Sequence, residues 1–155
     1  MRPGEASRPS RPRTNWPSTC PARPAPTTYA WTSWAGDEVY GACTRLCTFL
    51  DERGQAYVLR IRATFILGGG TCLTCEQIVA KYVLAAKRKW TVRSAGAGSK
   101  GERTYAWAWI ASASPAHYLL IRKHRTTGEL AFHYCFVPDD QSARLPRLIA
   151  AAGRR

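Results

Sequence analysis

Apolar and polar positions follow two rhythms along this chain, and the change falls near Trp90. Before it, short apolar runs enclose stretches with helical spacing; after it, apolar residues alternate with polar neighbours at period two. Residues 31–36 are short, aromatic and apolar, and predict a strand. From Ala42 to Arg53 the apolar positions recur at helical spacing, and Gly54 is a natural stop. Residues 56–67, AYVLRIRATFIL, predict a long strand. Strand, helix and strand in this order predict a βαβ unit with a parallel pair. Gly68-Gly69-Gly70 breaks the chain, and a helix is predicted from Thr74 to Lys89. Thr74 and Gln77 form a capping box, and Ile78, Val79, Tyr82 and Val83 form its apolar face.

In the second rhythm, Trp90 and Val92 lead to a glycine-rich turn, after which Tyr105, Trp107 and Trp109 share one strand face. Residues 118–122 and 129–137 are further strands, separated by Thr127-Gly128, so hairpins and antiparallel pairing are expected. Ser142 to Arg154 predicts a last helix, with Leu145, Leu148, Ile149 and Ala152 on one side. The fold class is α/β in its first part and α+β as a whole.

Composition adds a partner to this picture. The chain has 155 residues, 45% apolar, which suits a single core. Its net charge is +13, which points to a polyanion, nucleic acid first and an anionic membrane surface a distant second. Abundant Arg, Ala, Pro and Gly also fit a simpler origin in GC-rich coding DNA. No apolar run reaches the roughly 18 residues of a membrane span. Residues 1–28 are Arg/Pro-rich and predict a disordered tail, since they cannot bury enough apolar surface to offset ordering. No hydrophobic stretch follows the basic residues there, so a secretory signal is not expected and the expected compartment is the cytoplasm.

Most chemical motifs lose their force in context. Cys72-Leu-Thr-Cys75 has C-x-x-C spacing, with Cys43 and Cys47 upstream, and four thiolates can hold zinc. Cys43, Leu46, Cys47 and Leu50 fall on one helical stripe, however, which reads as core. Gly96-Ala97-Gly98-Ser99-Lys100-Gly101 matches the dinucleotide glycine string, but a strand follows where that motif needs a helix. The Trp and Tyr ladder can stack on unpaired bases, yet alternate aromatic positions more often form a buried sheet face. His117, His124 and His133 show no spacing of a metal site or triad. Asp37-Glu38 is different: strands are poor in carboxylates, so a pair at the end of one is a helix cap or a site.

Three segments decide between these readings: W-A-G-D-E-V-Y-G at residues 34–41, the run from Trp90 to Ile110, and T-G-E-L-A-F-H-Y-C-F-V-P at residues 127–138. In this order they resemble bacterial insertion-sequence transposases of the DDE type, from about Trp31 to Arg155. The resemblance implies a partial RNase H-like core (strand–helix–strand, residues 31–67), a helix and antiparallel β-rich insertion (71–137) and a terminal helix (142–154), making 29–155 a partial catalytic domain. It also implies that Asp37 is the second of three catalytic carboxylates and a ligand of magnesium. Such enzymes use two magnesium ions to cut and join DNA strands at transposon ends.

The sequence departs from the family pattern at both ends. Upstream of Asp37 the only carboxylate is Glu5, so the first ligand has no match. The third belongs to a W-x-x-E-x-x-F helix, of whose approach only Gly153-Arg154-Arg155 has a counterpart. The expectation is a truncated gene whose low-complexity start arose from a frameshift or alternative start, and whose product is inactive alone. Lys87, Arg88, Lys89, Arg93, Lys100 and Arg103 are candidate phosphate contacts. The alternative is a non-catalytic, basic nucleic-acid-binding module or a regulator of an intact transposase; the expected partners are DNA and either further copies in a homo-oligomer or an intact transposase.

Overall fold

The computed structural model describes residues 33–67, 72–84, 90–99 and 101–154; the predicted tail at 1–28 lies outside them. The fold is mixed α+β, with one six-stranded sheet. Strand β1 (Trp34–Gly36) leads through helices α1 (Glu38–Gly41) and α2 (Thr44–Glu52) into β2 (Tyr57–Ile61). Helix α3 (Cys75–Val79) follows, then β3 (Thr91–Gly98), β4 (Gly101–Ala111), β5 (His117–Lys123), β6 (Leu130–Phe136) and helix α4 (Leu145–Gly153). The sheet order is β1-β2-β6-β5-β4-β3.

The predicted parallel pair is present, with Trp34 opposite Tyr57 and Gly36 opposite Leu59. The four later strands form an antiparallel meander. They are not a separate layer. Strand β6 pairs antiparallel with β2, so both halves of the chain share one sheet.

Alternation across that sheet sends side chains to two cores. Tyr57, Leu59 and Ile61 of β2, with Phe132, Phe136, Leu119 and Ile121, are buried on the face that carries α2 and α3. Val58, Trp107, Leu120 and Cys135 are buried on the other, beneath Leu148, Ile149 and Ala151 of α4. Each fully buried aliphatic side chain contributes about 1.5–3 kcal/mol by leaving water. Trp107 is 1% exposed, and its Nε1–H donates to the Arg93 carbonyl at 3.1 Å. The centre of the aromatic ladder is therefore core.

Two elements depart from their predicted course. The long strand 56–67 ends at Ile61, because Phe65 N–H bonds back to the Arg62 carbonyl and the chain turns. Residues 63–65 then meet the start of α3, where Cys75 and Glu76 donate to the Phe65 and Ala63 carbonyls. The α3 capping box is formed as predicted, Gln77 N–H to Thr74 Oγ1 at 3.3 Å and Thr74 N–H to Gln77 Oε1 at 3.0 Å. Beyond Val79, however, the helix widens into a π turn, Ala80–Leu84. That extra residue rotates the apolar stripe, so Val83 is buried while Tyr82 is 40% exposed. The glycine string is a hairpin, with Gly98 opposite Gly101 and a bulge between Ser94 and Ala97.

The G-D-E-V-Y-G stretch has a packing rationale. A side chain at Gly36 would meet Leu59 and Tyr40, and one at Gly41 would collide with the Arg60 carbonyl of β2. Gly41 thus lets α1 rest directly on the β2 backbone. Gly41→Ala is expected to lower stability by about 2 kcal/mol or more, the usual penalty of overpacking; urea unfolding followed by circular dichroism measures it, and an unchanged midpoint would refute this account of the motif.

Candidate functional site at the end of the parallel pair

Asp37 stands at the carboxyl end of β1 and is the N-cap of α1, its side chain accepting from Glu38 N–H at 2.7 Å. It is exposed. The cap reading is therefore met, and the residue also opens onto a cleft. That cleft, about 340 Å³, lies on the α4 face of the sheet. Its lining includes Asp37, Arg60, Arg122, His133 and Arg154.

Each basic residue reaches the cleft for a local reason. Arg60 is the one β2 position that is not buried, on the same side of the strand as Val58. Its Nε lies 3.7 Å from Glu38 Oε1, and Arg62 reaches the other oxygen of that carboxylate at 3.8 Å. His133 pairs with Arg60 across β2 and β6 and is 5% exposed. Arg122 comes from β5, its guanidinium 4.5 Å from the centre of the Tyr105 ring. Arg154 follows the last residue of α4 and is exposed.

A second cleft of about 520 Å³ runs from the other side of Arg154 to β3, lined in part by Arg93 and Arg103. Two of the sequence-predicted phosphate contacts therefore lie beside Arg154. Arg103 also has a structural role, because its Nη2 donates to the Gly153 carbonyl at 3.1 Å and holds the end of α4. Lys87, Arg88, Lys89 and Lys100 lie outside the described residues. Arg60, Arg122 and Arg154 are far apart in sequence, and only sheet pairing and the docking of α4 bring them together.

The donor set can be tested against magnesium. A magnesium centre needs several hard oxygen ligands. Among the described residues no group of three His, Cys, Asp or Glu comes together. Asp37 shares its cleft with three guanidinium groups, which compete with a cation for its charge. The residues present do not fit a two-magnesium centre by themselves.

His117, His124 and the buried thiols have structural contacts. His124 Nδ1 accepts from the Thr126 and Thr127 N–H groups and shapes the β5–β6 turn. His117 lies 3.4 Å from Asp51 and its Nδ1 is 2.6 Å from the Pro115 carbonyl. Cys75 is buried, and burial raises its thiol pKa to about 12; complete burial pushes the Cys135 thiol higher still. Cys43 and Cys72 are exposed. Leu50, by contrast, is buried, and Leu46 and Cys47 of the same helix pack against its cluster with Tyr57, Leu59 and Phe136, so most of the predicted stripe is core.

No protein-family model matches the chain, and no curated protein matches it either.

Two measurements follow from this geometry. Iodoacetamide at mildly alkaline pH is expected to alkylate Cys43 and Cys72 in the folded protein and to spare Cys75 and Cys135, as read by mass spectrometry; prompt labelling of Cys75 would contradict its burial. Arg103→Ala removes a charge-assisted bond at the end of α4 and is expected to lower stability by about 1.5 kcal/mol. A thermal melt equal to that of the wild type would deny Arg103 its structural role.

Proposed function

We propose that this chain carries part of the catalytic fold of a DDE-type DNA transposase and that, on its own, it binds DNA without cutting it. The parallel pair would be a piece of an RNase H-like core, and Asp37 the position matching the second catalytic carboxylate. The observation that best supports the reading is the placement of Asp37. It sits at the carboxyl end of a parallel strand, the end where open α/β sheets gather their sites, and opens onto an arginine-lined cleft. The wider role is metal-dependent strand cleavage and transfer at transposon ends, in an assembly that supplies the other carboxylates.

For the isolated chain the non-catalytic alternative is favoured by the donor set. One carboxylate among guanidinium groups suits a phosphate backbone better than a divalent ion. Binding then comes from charge, so it is steeply salt-dependent and indifferent to magnesium.

The purified chain is expected to shift a DNA duplex at low salt, equally in chelator and in magnesium, and to leave supercoiled plasmid intact. Magnesium-dependent nicking that Asp37→Ala abolishes would refute the non-catalytic reading. Failure to bind DNA at low salt would refute the DNA reading as a whole.

A further inference from the structure

Five arginines that are scattered in sequence lie on one side of the molecule, in two clefts that share Arg154. Arg60 and Arg122 line the cleft that holds Asp37, and Arg93 and Arg103 line the cleft toward β3. Together they form a strip across the carboxyl-terminal end of α4. The bland explanation is that cations complement the negative end of a helix dipole. It accounts for Arg103, which bonds the Gly153 carbonyl. It does not account for Arg122, stacked on Tyr105, or for Arg60 on the strand beneath, whose own partner Glu38 sits at the edge of the cleft. Arg60 meets Glu38, 3.7 Å from its Nε, and still lines the cleft, where a guanidinium with five N–H donors can take an anionic ligand as well.

We infer that this strip is a phosphodiester track: Arg60, Arg122 and Arg154 take the backbone phosphates of a DNA strand that passes Asp37, and Arg93 continues the path along β3. The guanidinium fork suits phosphate because it offers paired N–H donors in one plane. Tyr105 holds the Arg122 plane from below, which reduces the ordering needed on binding. The track is held by charge and needs no metal ion. Asp37 repels a phosphate placed too close to it, so the strand lies along the arginines and not over the α1 terminus. This assignment rests on the DNA reading above, and it adds Arg60, Arg122 and Arg154, which only the fold brings together.

The test is fluorescence anisotropy with a labelled DNA duplex, titrated in chloride and in chelator. Arg154→Ala and Arg60→Gln are each expected to weaken binding by about three- to tenfold and to reduce the salt slope by about 1. Arg154→Lys, which keeps the charge, should recover most of the affinity. Arg45→Ala is the control: Arg45 is exposed on α2, across the sheet, and its loss should cost less than about twofold in affinity. Circular dichroism of each variant identifies loss of fold, and Arg60→Gln and Arg154→Ala alter different elements. Inorganic phosphate at equal ionic strength separates the possible sources of the anion. Little competition supports a strand backbone; full competition at millimolar phosphate would overturn the track in favour of a free-phosphate pocket. Arg154→Ala and Arg60→Gln behaving like Arg45→Ala, with wild-type binding intact, would overturn the track and leave the DNA reading standing. No binding by the wild type would overturn both.

Discussion

Strand β2 is the constraint on which the rest of the molecule depends. It is only five residues long, yet it pairs in parallel with β1 on one side and antiparallel with β6 on the other. Four of its residues, Tyr57, Val58, Leu59 and Ile61, are buried, so it contributes to the cores on both faces. A strand covered on both faces has no reason to alternate apolar with polar residues. The one partly exposed position, Arg60, opens onto the cleft beside Asp37. The strand that joins the two halves of the sheet therefore also sets part of the chemistry of the site.

Two close backbone approaches transmit that constraint. Gly41 lets α1 lie on the Arg60 carbonyl, which fixes Asp37 at the mouth of the cleft. Gly153 lets the end of α4 lie on the Ala95 carbonyl of β3, which brings Arg154 between the two arginine groups. Neither glycine adopts a positive φ; each is needed for proximity, not for conformational freedom. The electrostatics follow from the same placements. Glu38 spans Arg60 and Arg62 at the edge, while the cleft itself keeps a single carboxylate against three arginines.

Legibility varied with how local each determinant is. The Thr74–Gln77 capping box was readable because its partners are three residues apart. The hairpins were readable because period-two runs met at glycine-containing turns. The long strand 56–67 was overextended because nothing in its composition announces the turn at Arg62–Phe65, which serves contacts with the start of α3. The apolar stripe of α3 was misplaced at Tyr82 because a π turn changes the period without any sequence marker.

By itself the sequence determined the alternation of helix and strand, the parallel first pair, the antiparallel remainder and the singular position of Asp37. These rest on local propensity and spacing, which act within a few residues. The tertiary structure alone decided that β6 would seat against β2 and merge the halves into one sheet, and that α4 would cover the Trp107 face. It also decided which of the many arginines would share a cleft with Asp37. Arg60, Arg122 and Arg154 are separated by tens of positions along the chain. Only strand register and helix docking, both long-range consequences of burying apolar surface, bring them together.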